Sequence, residues 1–166
     1  MDTAFLIVRL ILGLAIAAHG TQKLFGWFGG HGITGTAGFF EQLGFRPGAL
    51  FAVAAGLGET VGGLLTILGL FGALGPLLIV VVMLVAIFSV HISKGFFVAN
   101  GGFELNAFYI ATAIAIAFAG NGAWSLDAAF GLNWPTNPTQ IWWALLVAVI
   151  LALLNLLARR PAARQS

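Results

Sequence analysis

The sequence has 166 residues, of which 60% are hydrophobic and 7% are charged, and its mean hydropathy is +1.04. Soluble domains carry about 25% charged residues, so an ordinary soluble protein is excluded. The formal net charge is +2, and no basic patch interleaves with aromatic residues, so no nucleic acid partner is expected. The sequence contains no cysteine, which excludes disulfides, cysteine-ligated metals and thiol catalysis within these residues.

Five apolar stretches in the sequence are candidates for transmembrane helices, each of which needs roughly 20 apolar residues. They run over residues 3–25, 49–70, 77–92, 103–119 and 139–158. Pro76 suits the start of the third helix. The glycine-rich segments Gly26–Gly48 and Gly120–Pro138 predict loops. The pattern therefore predicts an all-α membrane protein with five transmembrane helices and a lipid bilayer as its surroundings.

The distribution of basic residues predicts how these helices are oriented. Lys23, Arg46, Lys94 and the three arginines near the C-terminus fall on one side, and the opposite loops contain no Lys or Arg. Because basic loops favour the cytoplasm, we expect the N-terminus outside and the C-terminus in the cytoplasm, in a plasma membrane of the bacterial inner-membrane type. Arg9 interrupts the first stretch, which predicts a retained helix and not a cleaved signal peptide.

Glu59 is the clearest polar residue inside a predicted helix, and it lies close to the middle of the second stretch. A charge in the bilayer costs at least about 2.5–3.5 kcal/mol, so its position requires a reason. The residues that share its helical face are all small: Ala52, Ala55, Gly56, Gly62, Gly63 and Thr66. Small faces let another helix approach closely, so we expect Glu59 to point into the bundle. A structural ion pair and a functional carboxyl group are equally compatible with this pattern.

The first stretch offers three partners for Glu59. Arg9 lies near its outer end, and His19 and Lys23 share a face in its inner third. Arg9 is a candidate salt-bridge partner of Glu59, and its angular separation of about 80° from His19 would let both border one groove. For Lys23, we expect the side chain to extend to the cytoplasmic interface without a functional role.

His91, at the end of the third stretch, falls at a depth similar to that of His19. Two histidines on separate helices raise the hypothesis of a b-type haem. Histidines in membranes more often form hydrogen bonds or line polar cavities, so haem is the less favoured interpretation. His19, His91 and Glu59 are also suitable metal ligands, but no spacing holds them together, and no metal site is expected.

Several segments with polar or glycine-rich motifs follow one another along the sequence: Arg9, residues 19–30 (HGTQKLFGWFGG), Gly44-Phe45, residues 58–63 (GETVGG), residues 91–97 (HISKGFF), residues 101–104 (GGFE) and residues 120–127 (GNGAWSLD). In this order and spacing they resemble the DoxX family of small membrane proteins. The resemblance implies a four-helix core over residues 1–127, followed in residues 128–166 by an extracytoplasmic loop, an added fifth helix and a short basic tail. It places the family's polar positions on Arg9, His19, Lys23, Glu59, His91 and Glu104.

Three functions are compatible with these features. The resemblance implies a role in quinone-linked thiosulfate oxidation or in responses to oxidants, which favours a membrane subunit of a redox system with a quinone or a redox protein as its partner. Without cysteine, electrons would have to come through a bound cofactor, the quinone or a partner chain, so a self-sufficient enzyme is not expected. The alternatives are a small-solute transporter, which would require a homo-oligomer to form a pathway, and a non-catalytic assembly protein.

Overall fold

The computed structural model describes residues 2–134 and 137–160, and the described part contains helices and no strands. The helices are α1 (Asp2–Phe25), α2 (Gly32–Gln42), α3 (Gly48–Leu68), α4 (Leu74–Ala86), α5 (Glu104–Ala119), α6 (Leu126–Ala129) and α7 (Pro138–Leu157). The chain continues from α4 through a π-helical turn over Ile87–His91 and a 3₁₀ turn over Ile92–Lys94. This architecture confirms the predicted all-α membrane protein.

The five predicted transmembrane helices correspond to α1, α3, α4, α5 and α7, with boundaries that differ by a few residues. Four of them are long and apolar enough to cross a membrane, whereas α5 has only 16 residues. The third begins at Leu74, so Pro76 falls in its first turn, where the missing N–H has no helical partner to lose. The loop predicted over Gly26–Gly48 was partly wrong, because it contains α2.

Small residues bring α1 and α3 into backbone contact. A Cβ atom placed on Gly63 would lie 2.6 Å from the carbonyl oxygen of Gly13 and 2.7 Å from the backbone nitrogen of Ala17. A Cβ atom on Gly20 would lie 2.7 Å from the carbonyl oxygen of Gly56. Side chains larger than hydrogen would separate the two helices at both places. The small face around Glu59 therefore serves the close packing that the sequence predicts.

Helix α7 is an integral part of the bundle. Its buried residues Ile141, Leu145 and Ala148 belong to the same apolar core as residues of α1, α4 and α5. After the end of α7, a hydrogen bond joins the chain to the α2–α3 connection: Arg159 Nε donates to the Leu43 carbonyl oxygen at 3.0 Å. The fifth helix predicted after the four-helix core therefore packs against that core and supplies part of its apolar interior.

The alternating helices create two ends of the bundle. One end contains the C-terminus of α1, the α2–α3 connection, the N-terminus of α5 and the C-terminus of α7. The other end contains the α3–α4 turn and the segment between α5 and α7, where the backbone N–H of Ala123 faces the Asp2 carboxylate at 3.4 Å. Lys23, Arg46 and Arg159 lie at the first end, as their alternation in the sequence predicts, whereas Arg164 lies outside the described residues.

Candidate functional site

Glu59 lies in the middle of α3 and forms an ion pair with Lys23 of α1. Its side chain is 3% exposed, and its two carboxylate oxygens accept hydrogen bonds from Lys23 Nζ at 2.6 and 2.8 Å. Lys23 also donates weakly to the carbonyl oxygen of His19, at 3.4 Å. The Lys23 side chain is 27% exposed. The expectation that Lys23 simply extends to the interface was wrong, because its charge compensates the buried carboxylate of Glu59.

Arg9 does not contact Glu59, and that predicted pairing was also wrong. Arg9 and Lys23 are 14 residues apart on α1, about 21 Å along the helix axis. The antiparallel course of α3 places Glu59 beside Lys23, so Arg9 lies beside the last turn of α3, at the other end of the bundle. For the same reason, Arg9 and His19 do not border one groove.

A pocket opens next to the Lys23–Glu59 pair, between α1, α3, the end of α4 and the start of α5. We call it the interhelical pocket. Its volume is about 200 Å³. It is lined by His19, Lys23, Glu59, Met83, Ala86, His91, Val98, Gly101, Gly102, Leu105, Asn106 and Tyr109. Four of the predicted site residues, His19, Lys23, Glu59 and His91, therefore meet in one place.

The π-helical turn after α4 carries His91 at its last position. Such turns insert one extra residue into a helix and are frequent at functional sites. The His91 ring is fixed by a hydrogen bond from Nδ1 to the carbonyl oxygen of Gly101 at 2.7 Å. The His19 ring meets Tyr109 edge to face, with centroids 6.4 Å apart. Both imidazoles are thus oriented by neighbours at the pocket wall.

Two residues with polar side chains in the pocket were not predicted from the sequence, Asn106 and Tyr109. Both lie on the first turns of α5, and Asn106 Nδ2 donates to the sulfur of Met83 at 3.3 Å. A polar amide inside an apolar stretch was the signal that could have identified Asn106. Tyr109 is the single tyrosine of the sequence, but one tyrosine in a transmembrane stretch is a weak signal without a structure.

Glu104, the sixth predicted site residue, does not line the interhelical pocket. Its carboxylate accepts a hydrogen bond from the backbone N–H of Val98 at 2.8 Å. This bond holds the loop between the π-helical turn and α5, and Val98 and Gly101 of that loop line the pocket. Glu104 therefore acts on the shape of the pocket wall through the backbone.

A second polar group, which we call the loop cluster, lies at the opposite end of the bundle and contains Arg9, Asn121 and Asp127. Arg9 is 1% exposed. Its guanidinium donates to backbone carbonyl oxygens of Asn121, Trp124 and Ile67. Ile67 lies in the last turn of α3, so the cation also faces the negative end of that helix. These contacts attach the segment after α5 to α1 and α3.

Asp127 is the other charged residue of the loop cluster, and it is 6% exposed. Four donors surround its carboxylate: the backbone N–H groups of Phe71 and Gly72 at 2.9 and 2.8 Å, Asn121 Nδ2 at 2.7 Å and Trp134 Nε1 at 3.0 Å. The sequence placed Asp127 in an outer loop and gave it no role. The structure shows that it joins this loop to the α3–α4 turn.

Within residues 2–134 and 137–160, no three His, Asp or Glu side chains lie close enough together to hold a metal ion. The interhelical pocket instead offers hydrogen-bonding groups beside apolar walls. Its volume of about 200 Å³ is below the ~300–1,000 Å³ of pockets for drug-sized ligands. The space suits one small ring or a similarly compact polar group.

Comparisons with known proteins agree with the resemblance seen in the sequence. The DoxX family model matches residues 4–92. A protein of Haemophilus influenzae, described as an "Uncharacterized protein", is 33% identical over 131 residues, which cover 74% of this chain and 87% of that protein. No solved structure matches the chain. The family match spans α1, α2, α3 and α4, and thus includes His19, Lys23, Glu59 and His91 but not the α5 residues of the pocket.

Proposed function

This chain belongs to the DoxX family, and we propose that it is a membrane subunit of a quinone-linked redox system. The observation that carries the proposal is the interhelical pocket, which joins a buried ion pair, two histidines, an amide and a phenol between four helices. A quinone headgroup needs an apolar slot with a few hydrogen-bonding groups near its two oxygens. The pocket has both features.

The pocket residues divide into groups that would hold the ring and groups that would handle protons. Tyr109 and Asn106 can each bond a ring oxygen, and Met83 and Leu105 supply apolar surface beside them. His91 is the group best placed to move a proton, because the Gly101 carbonyl holds its Nδ1–H and leaves Nε2 without a backbone partner. A quinone, when bound, would supply a two-electron, two-proton couple, with the electrons coming from a partner chain.

The Lys23–Glu59 pair forms the floor of this site. Glu59 cannot leave the pocket wall without breaking two hydrogen bonds to Lys23. Its oxygens can each accept a further bond, since a carboxylate oxygen has two lone pairs. The pair therefore presents a fixed, proton-accepting surface to a ligand. Glu59 is the residue whose replacement tests the proposal most directly.

The test is native mass spectrometry and an absorption spectrum of the protein purified in mild detergent. We expect a stoichiometric quinone in the unaltered protein. Glu59→Gln should lower quinone occupancy at least tenfold and abolish quinone-dependent electron transfer in membranes, because the amide no longer matches Lys23. The control is Glu41→Gln, since Glu41 is an exposed residue of α2 outside the pocket.

Two results would contradict the redox proposal. One is unchanged quinone-dependent turnover in the Glu59→Gln protein. The other is a protein that carries only ordinary lipid and gains no quinone when it is added. Solute flux into proteoliposomes would then test transport, and capture of one dominant partner without a small molecule would favour an assembly role. Transport has less support in the structure, because the apolar core residues Leu12, Ile16 and Ile79 separate the two polar ends.

The proposed location is the plasma membrane, with the interhelical pocket towards the cytoplasm. The support is the position of Lys23, Arg46 and Arg159, which all lie at the pocket end of the bundle, while Asp2 and Asp127 lie at the other end. Positive residues favour the cytoplasmic side. A reporter enzyme that functions only outside the cytoplasm should therefore be active when it is fused to the N-terminus.

A further inference from the structure

We infer that the interhelical pocket recognises the dihydroxy form of a ring, a hydroquinone, in preference to the corresponding dicarbonyl form. This inference rests on the proposed function and identifies the form of the ligand that the site favours. It is carried by the distribution of hydrogen-bond donors and acceptors around the pocket. A hydroquinone presents two O–H donors, whereas a quinone presents two carbonyl acceptors.

Lys23, the one cation that lines the pocket among the described residues, already faces three protein acceptors. An ammonium group has three N–H donors. In Lys23 they face three acceptors, the two oxygens of Glu59 at 2.6 and 2.8 Å and the His19 carbonyl at 3.4 Å. A ligand carbonyl would have to displace one of these bonds. Lys23 therefore contributes its charge to Glu59 and little to a ring oxygen.

His91 presents an acceptor to the pocket. The partner of its Nδ1 is the backbone carbonyl of Gly101, at 2.7 Å. A carbonyl can only accept, so Nδ1 carries the proton of this bond. In the neutral ring, Nε2 then holds the lone pair. A ligand O–H can donate to this nitrogen, whereas a ligand carbonyl would meet it lone pair to lone pair.

His19, on α1, has the same arrangement. Its Nδ1 lies 3.2 Å from Gln22 Oε1. The amide of Gln22 is oriented by a second bond, from its Nε2 to the Phe28 carbonyl at 3.2 Å. Because the oxygen of this amide faces the ring, Nδ1 of His19 is the donor and Nε2 is again an acceptor. The two imidazoles, on separate helices, therefore both present a hydrogen-bond acceptor, Nε2, to a ligand.

The remaining polar groups do not reverse this balance. Tyr109 and Asn106 are each able to donate and to accept, and Asn106 already donates to Met83. Glu59 can only accept when ionised. The titratable groups that face His91 in the pocket, which are His19, Lys23, Glu59 and Tyr109, thus add more acceptor capacity than free donors. A dihydroxy ring can satisfy these acceptors, but a dicarbonyl ring leaves them unpaired.

The experiment compares three ligands that share one ring: tetramethyl-1,4-hydroquinone, its dimethyl ether and tetramethyl-1,4-benzoquinone. Their affinities for the purified protein in nanodiscs are measured without oxygen by calorimetry. We expect the hydroquinone to bind at least tenfold more tightly than the other two. His91→Phe should lower hydroquinone affinity about tenfold and should not lower quinone affinity, because the contact between Nε2 and a ligand carbonyl is unfavourable. His31→Phe is the matched control, since His31 is exposed and lies before α2, outside the pocket.

The outcomes separate this inference from the function on which it rests. Quinone binding that equals or exceeds hydroquinone binding would overturn the inference and leave the redox proposal standing. Equal binding of the dimethyl ether would overturn it as well, because that ligand cannot donate. If none of the three rings binds, both proposals fail. The comparison of ligands on the unaltered protein decides the question even where His91→Phe does not fold.

Discussion

The interhelical pocket and the loop cluster lie at opposite ends of the same helices, and each contains an acidic side chain that is more than nine-tenths buried. Asp127 receives four hydrogen bonds from two backbone amides and two side chains of adjoining segments. Glu59 has one hydrogen-bond partner among the described residues, the side chain of Lys23. The carboxylate of Asp127 is saturated, whereas that of Glu59 retains lone pairs that face a cavity.

The basic residues show the same difference. Arg9 is held by three carbonyl groups and the end of α3, so these N–H groups serve the fold, and its buried Nε has no partner among the described residues. Lys23 holds a single carboxylate beside a pocket that also contains His19 and His91. Burial of a charge in the membrane therefore does not by itself identify a site. A better indication is a set of several polar groups with unused hydrogen-bonding capacity around one cavity.

The largest expected effect is on the loop cluster. Asp127→Ala would leave four donors without an acceptor, and each unsatisfied buried group costs about 1–3 kcal/mol. We expect the free energy of unfolding to fall by at least about 3 kcal/mol, measured as a loss of thermal stability in detergent. Asp2→Ala is the matched control, because Asp2 is exposed at the same end. A stable Asp127→Ala protein would show that the cluster is not what holds the loop.

A smaller effect is expected from Lys23→Gln at the pocket end. This change leaves the buried carboxylate of Glu59 without its cation, which costs about 3–5 kcal/mol for fully buried pairs. Because Lys23 is 27% exposed, we expect a loss of about 2 kcal/mol. The double variant Lys23→Gln/Glu59→Gln should be more stable than Lys23→Gln alone.

Thermal unfolding of the two variants, with Lys94→Gln as a control for loss of one positive charge, checks this prediction. Lys94 is an exposed residue at the same end. If the double variant is less stable than the single variant, the two side chains do not compensate each other. The pocket would then resemble the loop cluster, with charges that are needed individually for folding.

The smallest effect is expected from Glu104→Gln. A glutamine oxygen can still accept the hydrogen bond from Val98, and Glu104 belongs to neither polar group. We expect a change in stability within about 0.5 kcal/mol and unchanged ring binding. Calorimetric titration of Glu104→Gln with the hydroquinone checks the second expectation. A loss of affinity would mean that Glu104 acts on the pocket directly.

The helices could be predicted from the sequence because a bilayer imposes a length and an apolar composition on each of them. Glu59, His19 and His91 could be identified as candidates because polar groups in lipid are costly. The ion-pair partner of Glu59 could not be predicted, because it depends on the relative position of α1 and α3 along their axes. Gly13, Gly20 and Gly63 fix that position, and their contacts appear only once both helices are in place.

Asp127 was missed for a different reason. Its stretch of Gly, Asn and Trp residues predicts a loop outside the apolar helices, where an acidic residue costs little and attracts no notice. Its burial comes from the fold of residues 120–134 back over the α3–α4 turn. Tyr109 was also missed, because it becomes a pocket residue only when α5 packs beside α1.

The short length of α5 has a consequence for the surrounding lipid. Its 16 residues span about 24 Å, whereas the hydrocarbon layer of a bilayer is about 30 Å thick. A helix of this length that crosses a bilayer makes the bilayer thinner beside it or brings its flanking polar residues into the hydrocarbon. Asn106, which lines the interhelical pocket, lies in the first turn of α5, so thinning at this end would bring the headgroup region close to the pocket. The acyl chain length of the lipids would therefore affect the pocket. Thinner membranes would shorten the path between the pocket and bulk water.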